Sequence, residues 1–168
     1  MTKLIVKRPS DCSIGEIVEF ENLVKSGGEV IHSHLRDRIM RAEYLIFLQG
    51  HDRKILGVAA LKHSEAQYRE KVFRKAGSVQ DPDKFELEIG WIYVIEECRG
   101  QGFSLPLLEK AIKLSQSRAF FATTREENVQ MNRTNVRCGL ERSGNAFKSD
   151  NGDYNLLLYI KNLANHIK

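Results

Sequence analysis

The chain has 168 residues, 42% of them hydrophobic and 29% charged, with a formal net charge of +4 at pH 7. That is enough sequence and apolar content for one packed domain over residues 1–168, which excludes a disordered chain and a mini-protein that needs staples. Three scattered cysteines (Cys12, Cys98, Cys138) without a CxxC pair argue against a disulfide framework or a zinc site, so a reducing cytoplasm is the expected location.

In chain order, "KLIVK" at residues 3–7 reads as a strand broken by Pro9, Ser10 and Asp11. A helix is predicted from Ser13 to about Lys25, with Ile14, Ile17, Val18 and Leu23 as its apolar face. After the loop "KSGGEV", Ile31, Leu35 and Ile39 predict a second helix over residues 31–42. "YLIFLQG" and "KILGVAALKH" read as a strand hairpin turning at residues 50–54. Residues 64–84 form a charged insertion with helical spacing at Ala66, Tyr68, Val72 and Phe73, followed by a loop; a lid, a partner surface and a solvated connector are the readings open for it. "FELEIGWIYVI" is a strand, followed by a glycine turn and a helix to about Ser117. "AFFATT" is the next strand, and a polar helix follows over Glu127–Cys138. Two last strands around "NAFKS" and "YNLLLYIK" flank the hairpin signal "SDNGD". This order predicts a mixed α/β sheet.

The amino terminus lacks the long apolar stretch of a signal peptide, and no apolar run is long enough to span a bilayer, so no membrane association is expected. The mild basic charge fits solubility better than a nucleic-acid partner.

The densest motif is "IYVIEECRGQGFSLPLLEKAI" at residues 92–112. A strand that feeds a glycine turn and then a helix presents unpaired backbone N–H groups, and the helix dipole adds partial positive charge there. Gly100 and Gly102 allow positive φ and close approach of a ligand, and Arg99 adds a full charge. Pro106 fits near a helix start at Phe103 or Ser104, and Leu105, Leu108, Ala111 and Ile112 supply an apolar stripe. The turn suits a phosphate. It is no P-loop, since no Gly-Lys-Ser/Thr follows, and it lacks the third glycine of a dinucleotide fingerprint.

Val94 to Ser104, "VIEECRGQGFS", resembles the coenzyme A pyrophosphate motif of the GNAT superfamily of acyl-CoA N-acyltransferases, with Ser104 in place of the last Gly/Ala. "NVQMNRTNVRCGL", Asn128 to Leu140, is similar to that family's second cofactor motif. The resemblance implies a mostly antiparallel central sheet flanked by helices and splayed at the central strand. It implies transfer of an acetyl group from acetyl-CoA to a primary amine by direct attack. Arg99, Gly100, Gln101, Gly102, Phe103 and Ser104 would hold the pyrophosphate, Ile92, Tyr93 and Val94 the pantetheine, and Asn128 would serve the cofactor from the second motif. Gly90 or Trp91 would mark the strand bulge.

Glu86 and Glu88 stand two apart on the same strand. Glu88 lies six residues before Val94, where the resemblance implies a general base in some members of the family, and is the expected base, with Glu86 as helper or substrate anchor. The resemblance places a tyrosine acid at the position held here by Asn135, and Tyr93, Tyr154 or water are the alternatives. Cys138 reads as a packing residue rather than a nucleophile, and the histidines (His32, His34, His51, His63, His166) form no metal pair. A small-molecule or protein amine is the expected acceptor. A homodimer through the final strands stays open. The rival class is an acyl-CoA-binding module of the same fold with little or no catalysis.

Overall fold

A computed structural model describes residues 1–28 and 30–162, so His166 lies outside the described residues. Among the described residues, eight strands form one mixed, mostly antiparallel sheet with helices against it. The chain resolves into two compact units. Unit 1 is Met1–Lys62 with Ile89–Leu114, and unit 2 is His63–Glu88 with the described residues from Ser115 onward.

In unit 1, β1 (Lys3–Lys7) runs antiparallel to β2 (Tyr44–Gln49), with Lys3 opposite Gln49 and Lys7 opposite Leu45. β2 returns antiparallel into β3 (Ile55–His63), the predicted hairpin. β4 (Leu87–Val94) follows β3 in the strand order. Helix α1 (Ile14–Ser26) starts on a capping box: the Glu16 N–H donates to Ser13 Oγ at 3.2 Å, and the Ser13 N–H donates to the Glu16 carboxylate at 2.8 Å. Its buried face is Ile17, Phe20, Glu21 and Val24, packed with Leu45, Phe47, Val58 and Ala60. Each such apolar side chain contributes about 1.5–3 kcal/mol by leaving water. Ile14, expected on that face, is 82% exposed; it lies one turn ahead of the buried stripe.

The second helix is shorter than predicted. α2 spans Leu35–Met40, because His34 adopts φ 56°, a left-handed conformation that cannot continue a helix of L-residues. Glu21 is buried between Lys25 (2.9 Å) and Arg36 (2.6 Å to Nε), which ties α1 to α2.

In unit 2, β4 pairs in parallel with β5 (Phe120–Arg125), Leu87 opposite Phe120 and Glu88 opposite Phe121. β5 is antiparallel to β8 (Asn155–Lys161). The other side of β8 carries β6 (Glu141–Arg142) and β7 (Phe147–Lys148). The hairpin β7–β8 matches the turn signal, whereas β6 has only two residues and no period to detect.

The 64–84 segment is more than a solvated connector: in its helix α3 (Ala66–Ala76), Val72, Phe73 and Ala76 pack into a core with Phe85, Phe121, Phe147, Leu158 and Ile160. The Phe73 ring lies 5.4 Å from Phe85 and 5.5 Å from Phe121. Ala66 and Tyr68, expected on the apolar face, are exposed, and the buried position between them and Val72 is Arg69. Arg69 Nη1 donates to the Ser64 carbonyl and hydroxyl, each at 3.1 Å. Beyond α3, Gly144 passes so close to the Ala76 carbonyl that a Cβ there would lie 2.0 Å from its oxygen. No described helix is long and apolar enough to cross a membrane.

Candidate active site

The glycine turn belongs to unit 1. β4 ends at Val94, and the Ile95 N–H donates to the Leu56 carbonyl at 2.9 Å. A 3-10 turn over Glu96–Cys98 leads to Arg99, and helix α4 begins at Ser104. Gly100 and Gly102 have φ of 78° and 81°, values that a side-chain-bearing residue rarely adopts. A Cβ built at either would meet nothing within 4 Å. Conformation rather than crowding therefore demands glycine, and the turn stays open to a ligand. Gln101 is exposed beside them, with Phe103 and Ser104 half-buried.

Arg99 is exposed, yet its Nε donates to the Val94 carbonyl at 3.2 Å and its guanidinium lies 5.4 Å from the Tyr93 ring centre. Gln101 Nε2 donates to the Glu97 carbonyl at 3.4 Å, while Lys54 and Glu97 pair at 2.6 Å. Pro106 is the third residue of α4, where the absent N–H removes no intrahelical bond. The helix is anchored by Leu107, Leu108 and Ala111; the predicted Leu105 and Ile112 are only half-buried, and the helix stops at Leu114 before the left-handed Gln116 and Ser117. Open left-handed glycines, a helix start and an exposed arginine are a donor set that fits a phosphate group.

Ile92, Tyr93 and Val94 are half-buried on β4. Of the two bulge candidates, Trp91 has a left-handed φ of 52° inside β4. A non-glycine residue so placed carries about 1–3 kcal/mol of strain. Two ring contacts in unit 1 oppose it. Phe20 meets the indole edge-on at 6.1 Å, and the Lys62 ammonium sits 4.2 Å from the ring centre. Such contacts contribute about 0.5–1.5 and 0.5–2 kcal/mol respectively, so together they match the strain. Gly57 on β3 closes the same area, since a Cβ there would lie 2.9 Å from the Tyr93 carbonyl oxygen.

Unit 2 carries the remaining candidates. Glu88 is 6% exposed on β4, whereas Glu86 is exposed and precedes the strand. The two carboxylates therefore occupy different surroundings despite their spacing. The Glu86 carbonyl accepts from the Ser64 N–H at 3.0 Å. Asn128 is the N-cap of α5 (Val129–Arg137), its Oδ1 accepting from the Met131 N–H at 3.1 Å.

Asn135 is 1% exposed; its Nδ2 donates to Thr124 Oγ1 on β5 at 2.9 Å, and its Oδ1 has no hydrogen-bond partner among the described residues. Of the alternative acids, Tyr154 has Arg125 over its ring at 3.8 Å and Tyr93 has Arg99. A third tyrosine, Tyr159, donates to Asn132 Oδ1 at 3.1 Å, and burial pushes its hydroxyl pKa up. Neither Tyr159 nor Thr124 carries a local sequence signal, since each is one apolar-strand position among many. Cys138 is half-buried, its carbonyl accepting from Lys161 Nζ at 2.8 Å. Among the described residues no group of three His, Cys, Asp or Glu side chains is arranged to hold a metal ion.

The sequence profile of the acetyltransferase (GNAT) family matches residues 19–140. The chain belongs to that family. No curated protein matches the sequence. Among solved structures, Escherichia coli ElaA superposes with a TM-score of 0.69 at 12% identity, covering 94% of this chain and 99% of its own. YncA of Salmonella typhimurium, a structure with its cofactor acetyl-CoA, gives 0.68 at 12% identity over 100% of this chain and 97% of its own. Arabidopsis thaliana NAA60 in complex with acetyl-CoA gives 0.67 at 15% identity, covering 96% and 98%. At these identities the likeness is one of fold.

Proposed function

We propose that the chain moves an acetyl group from acetyl-CoA to a primary amine by direct attack on the thioester. The observation that carries this is the turn of unit 1: two open left-handed glycines and Arg99 between β4 and α4, in a chain of the acetyltransferase family. Two fold neighbours are described with acetyl-CoA, which supports the same cosubstrate here. Both compact units then serve one acyltransferase domain, a reading supported by a family match that runs across both.

In this reading Arg99, Gly100, Gln101, Gly102, Phe103 and Ser104 hold the pyrophosphate, and Asn128 contributes from the start of α5. The backbone of Ile92, Tyr93 and Val94 pairs with the pantetheine, and one of those N–H groups polarises the thioester carbonyl. Glu88 takes the proton of the acceptor ammonium, directly or through a water, and Glu86 draws a cationic acceptor in. The amine nitrogen forms the new C–N bond, the C–S bond breaks, and the thiolate takes up a proton. With a free-thiol pKa of roughly 8.5, that last proton needs only a modest donor.

The acceptor is a small-molecule or protein amine, met in the cytoplasm. A homodimer through the final strands remains part of this reading, and edge-to-edge pairing would there meet only the two-residue strands β6 and β7.

One observation favours a second reading, an acyl-CoA-binding member with little or no catalysis. The residue at the expected tyrosine position is Asn135, buried and bonded to Thr124. An amide is no practical acid.

Thermal melting with and without acetyl-CoA tests the binding step. At ligand near 100 times Kd, stabilisation is about 2.7 kcal/mol, roughly 5–10 °C for a chain of this length. The shift should vanish in Arg99→Ala/Gly102→Val. No shift up to millimolar acetyl-CoA would remove both readings, whereas binding without turnover on any amine would select the second.

A further inference from the structure

Five described residues other than glycine have a left-handed backbone, and four of them sit in turns or at helix ends: His34, Arg53, Gln116 and Ser117. Trp91 is the exception, since it lies inside strand β4. It is also the single tryptophan of the chain. A bulky residue left to itself leaves this region of φ for the strand region. The indole is not left to itself. Phe20, fully buried in α1 and itself edge-on to Phe47 at 5.5 Å, meets the ring from one side. The Lys62 ammonium lies 4.2 Å from the ring centre. Phe20 is part of the core and would be there in any case. Lys62 is half-buried on β3.

We infer that Lys62 is a positioning residue for acetyl-CoA: its ammonium holds the Trp91 indole and so keeps the backbone of β4 left-handed directly ahead of Ile92, Tyr93 and Val94. The torsions of Trp91 set the direction of the following peptide plane, and with it where the Ile92 N–H points. Loss of the clamp lets Trp91 relax toward a regular strand and turns that N–H away. The inference rests on the proposed function in one respect, that the backbone of these three residues takes the cosubstrate. The clamp is specific to this pair of residues, because it needs a cation on the face of an aromatic ring that is held in the left-handed region.

The test is a double-mutant cycle read by acetyl-CoA affinity, using wild type, Lys62→Gln, Lys62→Arg, Trp91→Gly and Trp91→Gly/Lys62→Gln. Lys62→Gln should weaken acetyl-CoA by about tenfold and shift the emission of Trp91. Lys62→Arg should restore affinity, since a guanidinium also stacks on an indole. In the Trp91→Gly background Lys62→Gln should have no further effect, because glycine adopts positive φ unaided. A purely structural or bulk-charge role for Lys62 predicts equal losses in both backgrounds, and that result overturns the inference. So does unchanged affinity in Lys62→Gln beside a wild type that binds. A wild type that fails to bind acetyl-CoA rejects the proposed function itself, and the positioning role falls with it. Should Lys62→Gln fail to fold, Lys62→Met, which keeps the apolar stem, carries the same comparison.

Discussion

Arg99 folds back onto its own strand, its Nε donating to the Val94 carbonyl at 3.2 Å. The bond spans the 3-10 turn over Glu96–Cys98 and sets where the strand ends relative to the glycines. One arginine therefore braces the turn while the residue itself stays exposed. A lysine could supply the charge but not the brace, since its single ammonium cannot hold the carbonyl and a phosphate in the same fixed fork.

It follows that Arg99→Lys should bind acetyl-CoA more weakly than wild type and more tightly than Arg99→Ala. The ligand-free Tm should hardly move in either, as exposed substitutions stay within about 0.5 kcal/mol. Titration by thermal shift measures both. If Arg99→Lys binds as tightly as wild type, the brace has no part in binding.

Gly57→Ala should destabilise the protein by about 1–3 kcal/mol, the usual range for overpacking, or roughly 2–10 °C in Tm. The added methyl would sit 2.9 Å from the Tyr93 carbonyl oxygen and 3.1 Å from Leu107 Cδ1. Since the displaced backbone is that of Tyr93, acetyl-CoA affinity should fall as well. A melting curve identical to wild type would show that β3 can yield at this point.

Acid should weaken the protein through two carboxylates. The hydrogen bond from Lys25, and after it that from Arg36, hold Glu21 below its ordinary value of 4.5. Lys71 and Lys75 bring Asp150 from 3.8 down to about 2. Both folded pKa values lie below the unfolded ones, so each contribution is complete above the unfolded pKa and is lost as pH falls through the folded one. Glu21→Gln should therefore lower Tm at pH 7 by an amount that shrinks steadily below about pH 4.5. Melting wild type and variant from pH 7 to pH 3 reads this directly; a gap that stays constant to pH 3 would contradict the ion-pair origin.

Thr124→Val removes the acceptor of the buried Asn135 amide and leaves its N–H groups unpaired. The cost of such a group is about 1–3 kcal/mol, seen as roughly 2–10 °C in Tm. Thr124→Ser keeps the oxygen and should recover most of the loss. Equal losses in both variants would assign the effect to the methyl group instead.

Glu88→Gln should lower turnover by about 10²–10⁴, the span of general-base catalysis, with the acetyl-CoA-induced melting shift intact. Glu86→Gln should act instead on the KM of a cationic acceptor, in keeping with its exposed position. If turnover survives Glu88→Gln, the proton leaves the acceptor by another route.

Much of the architecture was legible because it is written in local periodicity. The run from Tyr44 to His63 is two apolar stretches parted by a polar turn, as a hairpin requires, and α1 begins at the Ser13–Glu16 pair that caps it. The glycines at 100 and 102 announced a left-handed turn because few other residues tolerate one. Illegible parts share a different character. The start of α2 depended on a single histidine torsion, β6 on two residues, and the burial of the insertion helix α3 on a core that comes from strands far along the chain. A charged segment such as 64–84 looks like surface until Phe85, Phe121 and Phe147 are seen to cover its Val72–Phe73 face.

The sequence by itself determined the turn and the family, since backbone conformation at glycine and the spacing of Val94, Arg99 and Ser104 are local properties. Only the tertiary structure decided which carboxylate is buried, that Asn135 spends its amide on Thr124, and that Lys62 rests on Trp91. Each of these joins residues from different elements or depends on what covers them. Burial, ring contacts and hydrogen bonds between distant residues exist only once packing has brought the partners together.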